Sequence, residues 1–369
     1  MSRNAKNINL RPCVNIKTQG CRFVFIFVLI FLTSFYQKTS GQINTNLNSE
    51  FIKTNRNTVI IVRNRNAITA YEPNTEKVVT MLKEGVKKLA KTSDAKSALL
   101  KVASTNDVIG IKVYSTPGRY SGTRPAVIDA LITLMIESGF SKSNIIIWDK
   151  NLNTLIESGY SQVAAKHGVL LCGAADYGYD DNVFYEKPLI GNLVYGDHEF
   201  GKKGEGVGRK SFMSKLLTQK ITKIISVAPV INNNTAMVSG HLYSLAFGSV
   251  DNTLRFESSR DKLNEAIPEI FAMPQIYDRT VLYITDAFIC QYEGGPTSML
   301  HYSVILGQLW FSFDPVILDT LAMEEIYYRK AAMNHKSRKP DYELFQNASL
   351  LELGNCDTKK ANIQTIDLN

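Results

Sequence analysis

The sequence predicts an α/β protein: a mostly parallel sheet with helices on both faces and a long insertion loop around residues 176–210. Three observations predict it. From about residue 57 onward, short apolar runs rich in β-branched residues alternate with longer segments of helical period. One strand–helix–strand unit carries explicit boundary residues. The stretch from Asp176 to Lys210 fits neither period and, at roughly 35 residues, far exceeds an ordinary connection, so it is expected to be a functional lid or a small excursion.

Taken in order, strands are expected at Thr58–Arg63, Val108–Val113 and Asn144–Asp149, each an apolar run bounded by polar residues. Between the second and third lies the clearest helix. Thr123 is its N-cap and Pro125 stands in its first turn. Val127, Ile128, Leu131, Ile132, Met135 and Ile136 supply the apolar stripe, and Gly139 stops it. Further strands are expected at Val169–Gly173, Ile221–Ile231, Arg279–Ala287 and Leu309–Phe313. A last helix begins near Asp314-Pro315 and runs toward Ala332, with an acid at its start and Arg329 and Lys330 at its end, as the helix dipole favours. Residues 42–56 are Asn-rich and read as a flexible start. The alternation continues on both sides of the long loop, so residues 57–369 are expected to form a single domain.

The chain has 369 residues and a formal charge of +8. Six of its 42 basic residues and none of its 34 acidic ones lie in residues 1–41, so the remainder carries only about +2. That near-neutral body argues against non-specific attachment to nucleic acid or anionic membranes. Arg3 to Arg22 is followed by an uncharged run of 14 residues, Phe23–Tyr36, which as a helix would rise about 21 Å, short of the ~30 Å hydrocarbon core. Residues 1–41 therefore read as a secretory signal peptide, with Thr39 and Gly41 at the -3 and -1 positions of a cut before Gln42. Export to a periplasmic or extracellular compartment is expected, with no stable membrane span after cleavage. Of the five cysteines, Cys172, Cys290 and Cys356 follow the leader. No C-x-x-C pair occurs, so no iron–sulfur cluster is expected, and three small buried hydrophobes are favoured over a disulfide.

Ligands of open parallel sheets bind beyond the carboxyl ends of the strands. Lys112 sits inside an apolar strand, where an ammonium needs a carboxylate, a ligand anion or water; it reads equally as ligand-facing or as a structural ion pair. Asp149 and Asp286 end apolar strands and could share a metal, divide acid and base roles, or cap the loops that follow. Asn232 and Asn234 lie at another strand end, suited to recognition through hydrogen bonds. Gly294 and Gly295 would let backbone amides approach a ligand, though a tight turn is the simpler reading. His241 is the strongest general-base candidate among the five histidines. His198, between Asp197 and Glu199, is a weaker cation ligand, and the Gly-rich basic stretch Gly201–Lys210 reads best as a solvated loop. Carboxylates and amides of this kind suit Mg²⁺ or Ca²⁺ rather than a thiophilic ion, and whether any metal binds is left open.

The order of these pieces resembles the bacterial and archaeal domain-of-unknown-function family 362. The resemblance rests on Asp107-Val-Ile-Gly-Ile-Lys112-Val, Thr123-Arg-Pro-Ala-Val-Ile-Asp-Ala-Leu131, Ile145-Ile-Ile-Trp-Asp149, Ile225-Ser-Val-Ala-Pro229-Val, Ser239-Gly240, Phe247-Gly-Ser-Val-Asp-Asn252, Gly294-Gly-Pro296 and Asp314-Pro-Val-Ile-Leu-Asp319. It implies an α/β protein that often carries an export signal and is sometimes fused to ferredoxin-like clusters. The chain departs from the family pattern where Lys-x-His is replaced by Asn232-Asn-Asn234, Leu-Lys-Asn by Leu242-Tyr243-Ser244, a histidine by Glu257, and a histidine before proline by Arg124. The expectation is an exported protein acting on a small anionic or polar ligand. Lys112 and Arg124 would bind the anion, and His241, Asp286 and Asp149 would move protons or ligate metal. The alternative is a ligand-binding protein without turnover.

Overall fold

The computed structural model describes residues 50–187, 208–257, 259–333 and 339–368. The leader at 1–41, most of the segment 42–56, His198 with its flanking acids, and the glycine-rich stretch as far as Val207 lie outside the described residues. Residues 48–369 form one compact unit.

Eleven strands matter here: β1 (Thr58–Arg63), β2 (Ile109–Lys112), β3 (Ile145–Asp149), β4 (Leu170–Gly173), β5 (Tyr179–Glu186), β6 (Lys210–Ser214), β7 (Lys223–Asn233), β8 (Met237–Val238), β9 (Thr280–Gln291), β10 (Ser303–Ser312) and β11 (Asn362–Asp367). The main sheet runs β11-β1-β10-β9-β7-β2-β3-β4, with β8 paired to β7. The ladders β9–β7, β7–β2, β2–β3 and β3–β4 are parallel. β10 runs antiparallel to both β1 and β9, and β11 is parallel to β1.

Side chains alternate between two cores because both faces of the sheet are covered. Ile145 and Ile147 point into one core, Ile146 and Trp148 into the other. The first core is roofed by α1 (Thr75–Ala90), α2 (Ala95–Val102), α3 (Pro125–Glu137) and α5 (Tyr160–His167), α4 (Leu152–Glu157) leading into the last. The second is roofed by α6 (His241–Ser249), α7 (Arg260–Phe271), α8 (Pro315–Ala332) and α9 (Glu343–Leu350). Each fully buried isoleucine stabilises the fold by roughly 1.5–3 kcal/mol, and all three of β3 are fully buried.

The expected fold class holds, and three local expectations need correction. β7 does not stop before the asparagines. It runs through Asn233 because Asn232 and Asn233 pair with β8 in a tight hairpin, which meets their backbone hydrogen-bonding needs inside the sheet. The ends of the insertion are not loop, because β5 and β6 form an antiparallel ribbon, with Phe184 meeting Phe212 edge-on at 5.6 Å. Residues 50–54, within the segment expected to be flexible, are helical, and Phe51 packs edge-on against Phe313 at 5.9 Å. Cys172, Cys290 and Cys356 are free thiols. Among the described residues no helix is long and apolar enough to cross a membrane.

Candidate functional site at the strand ends

Parallel strands β3, β2, β7 and β9 lie side by side; β2 and β3 end at Lys112 and Asp149, while β7 and β9 run on past them to Asn233 and Gln291. A register row crosses the sheet through Trp148, Lys112, Ser226 and Tyr283, all on the α6 side. Lys112 is fully buried in this row. Its Nζ donates to Asp149 Oδ1 at 2.8 Å, Ser244 Oγ at 2.8 Å and the Val113 carbonyl at 2.7 Å, so all three protons are taken. Burial pulls the proton affinity of this ammonium below its ordinary value, and Asp149 pulls it back up. Asp149 is equally committed. Its Oδ1 also accepts from the Lys150 amide at 2.8 Å, and its Oδ2 accepts from the Ser115 amide and hydroxyl, both at 2.7 Å.

A second buried ion pair stands in the middle of β9: Asp286 does not end its strand as expected, because β9 continues past a bulge to Gln291. Arg124, the residue before Pro125 at the start of α3, presents its Nη1 to Asp286 Oδ1 at 2.8 Å and its backbone amide to Asp286 Oδ2 at 2.8 Å. Nη2 donates to the Tyr120 carbonyl, but Nε is buried with no partner. Asp286 sits where the β9–β7 ladder breaks: its partner is Pro229, and the next pair is Cys290 with Val230. The three extra residues form a bulge of the kind that re-aims side chains next to sites. Thr123 ties the neighbouring loops together, accepting from the Tyr114 amide and donating to the Val227 carbonyl.

His241 opens α6 and is fully buried. Its Nδ1 lies 2.8 Å from Ser226 Oγ and its Nε2 3.1 Å from Thr285 Oγ1, so both ring nitrogens are occupied by hydroxyls. Burial, with the Lys112 ammonium adding to it, pushes its pKa down to about 3, so the ring is neutral. The backbone amides of His241 and Leu242 donate to the two oxygens of Asp319, which reaches across from α8 and caps α6. Burial raises the Asp319 pKa to about 7. Gly240 is needed here, because a Cβ would stand 2.1 Å from Asp319 Oδ1.

Asn232, Asn234, Gly294 and Gly295 are brought together in a different way from that expected. Asn232 Oδ1 accepts the Gly295 amide at 2.8 Å, and its Nδ2 donates to Asn234 Oδ1 at 3.2 Å. The Gly295 amide is thus spent on Asn232, and a Cβ there would lie 1.9 Å from the Asn232 carbonyl, so the glycine serves a close backbone approach. Asp149 and Asp286 do not meet at one metal: each is bound to its own cation, and among the described residues no three His, Cys, Asp or Glu side chains gather as a metal centre.

Ser115, Ser226, Ser244, Thr285 and Asp319 complete the cluster without having been singled out in the sequence. Ser226 and Asp319 carried the same signal as Lys112, a polar residue inside an apolar run. Gly248 is a further member, since a Cβ there would stand 2.4 Å from Lys112 Cε. Gly248→Ala is expected to lose about 1–3 kcal/mol through overpacking against the ammonium stem, despite alanine's better helix propensity, as read by urea denaturation. A stability equal to wild type would show that Lys112 has room to move.

The α/β sheet thus carries two buried ion pairs and a sealed imidazole on its parallel strands. This chain belongs to the family described as Domain of unknown function (DUF362), whose model matches residues 109–324. Every site residue named above, from Lys112 to Asp319, lies in that span. No curated protein matches the sequence. Among solved structures, the crystal structure of a protein from Thermotoga maritima is similar at 12% identity, covering 74% of this chain and 62% of that one, with a TM-score of 0.39. The chain thus spans about three fifths of the length of that relative.

Proposed function

We propose that this chain is exported and binds a small anionic or polar molecule beyond the carboxyl ends of β2 and β3, beside Arg124 and Asp286, without turning it over. The observation that carries the reading is Arg124 Nε, a buried donor with no partner beside two buried ion pairs. Buried charges of this kind are costly and seldom add net stability, so their presence here suits a ligand rather than the fold. Tyr243, half-buried, stacked on Phe247 at 4.2 Å and edge-on to Tyr114 at 6.1 Å, supplies an aromatic wall. Binding is favoured over catalysis because His241 has no free nitrogen to act as a base. Metal assistance gains no support from Asp149, whose two oxygens already accept four hydrogen bonds. Export rests on the basic, then apolar, character of residues 1–36.

Native mass spectrometry with elemental analysis, on protein purified from its own compartment without chelators, tests this. A small organic mass is expected to be retained by wild type and lost from Arg124→Lys, which keeps the charge facing Asp286 but removes the Nε donor. Equal retention in both proteins would overturn the assignment of Arg124. A stoichiometric divalent metal lost from Asp149→Asn would replace binding with metal-assisted chemistry.

A further inference from the structure

Among the described residues β11 is the last strand of the sheet on its side and pairs with β1 alone. The amides of Asn362 and Leu368 donate to Asn57 and Arg63, so the even-numbered residues of β11 face β1. The backbone groups of Ile363, Thr365 and Asp367 therefore point outward, and among the described residues no strand pairs with them. Ile363 is 41% exposed. Natural edges are usually blunted by an internal lysine, a proline or a bulge, and the six residues Asn-Ile-Gln-Thr-Ile-Asp contain none of these in an unbroken register.

The charges at this edge are sorted by position. Lys359 and Lys360 precede the strand, and Asp367 ends it, with its side chain 66% exposed. A second copy laid antiparallel brings Asp367 of each chain beside the lysines of the other, whereas a parallel copy stacks like on like. An antiparallel pair must also match outward-facing residues with outward-facing ones. Setting Ile363 opposite Thr365 and Ala361 opposite Asp367 meets both conditions and places Gln364 opposite itself.

We propose that β11 is the contact surface of a twofold dimer, in which two copies of this chain pair edge to edge with Gln364 on the axis. The contact is isologous and closes on itself, so it yields a dimer and not a fibre. Sedimentation equilibrium of the purified protein is expected to give twice the chain mass. Thr365→Pro removes an outward donor that the β1 ladder does not use, so the monomer should keep its far-ultraviolet circular dichroism while the mass falls to one chain. Ile363→Lys should do the same by placing like charges across the axis. Gln364→Cys should cross-link under mild oxidation, because a non-hydrogen-bonded antiparallel pair holds its Cα atoms about 4.5 Å apart, within disulfide reach. A wild type that stays monomeric at every concentration reached, or a dimer that survives both Thr365→Pro and Ile363→Lys, would overturn the proposal. A dimer in which Gln364→Cys fails to link would overturn the register.

Discussion

Replacing Asp149 with alanine is expected to destabilise the folded chain by about 3–5 kcal/mol, the cost of stranding one member of a buried ion pair. Among the described residues the Lys112 ammonium pairs with no second carboxylate, and its other acceptors, Ser244 Oγ and the Val113 carbonyl, are neutral. The amides of Ser115 and Lys150 lose their acceptor in the same step. Urea denaturation should show the fall as a lower midpoint. The double variant Lys112→Met with Asp149→Leu should recover the part due to the stranded ammonium, leaving the part due to the unpaired Ser115 and Lys150 amides. A single variant within about 1 kcal/mol of wild type would mean that water reaches Lys112.

The second large effect is a cancellation in the acid range. The folded-state pKa of Asp319 is raised from 3.8 to about 7, so the native chain binds more protons than the unfolded one between those values. Its contribution to stability therefore grows as pH falls from 7 toward 4. The pKa of His241 is lowered from 6.5 to about 3, which has the opposite sign: stability is lost as pH falls through the same range. Shifts of about three units correspond to roughly 4 kcal/mol each. Wild type should accordingly change little between pH 6.5 and 4 on account of these two groups. His241→Gln removes the penalty, and its unfolding free energy should rise relative to wild type on acidification. Asp319→Asn removes the gain, and its stability should fall relative to wild type. Asp314, raised to about 6 by burial, has the sign of Asp319 and is common to both variants, so it drops out of the comparison. Two variants that track the wild-type pH profile would refute the assignment.

The parts of the molecule that were legible in the sequence are those where local chemistry and tertiary structure agree. Ile145-Ile-Ile-Trp148 and the Pro125 helix start carry their own boundaries and occur as expected, but the N-cap is Arg124 and not Thr123, whose hydroxyl is taken by the Tyr114 amide and the Val227 carbonyl. The polar edge strand β11 lacks an apolar run and shows its strand character only through its partner, while the early half of β10, Ser303-Val-Ile-Leu-Gly307, has one that Gly307 and Gln308 interrupt. At the site, the sequence marked Lys112 and Asp149 separately, but not that they bind each other, because 37 residues separate them. His241 was marked for its chemistry, yet its role follows from Ser226, Thr285 and Asp319, contributed by three other elements. Pairings at such distances are decided by topology, which no local window contains.

The way Lys112 is sealed also bears on the order of assembly. β2, α3 and β3 are neighbours in sequence and can form their crossover unit early, with the ammonium still hydrated. Its neutral acceptor Ser244 lies 132 residues further on, on a helix that is itself held by Asp319 from the last third of the chain. Dehydration of the lysine must wait until α6 docks, so the pair belongs to the late, native side of the folding barrier. The loss expected for Asp149→Ala should then be carried almost wholly by faster unfolding, with the folding rate left near that of wild type.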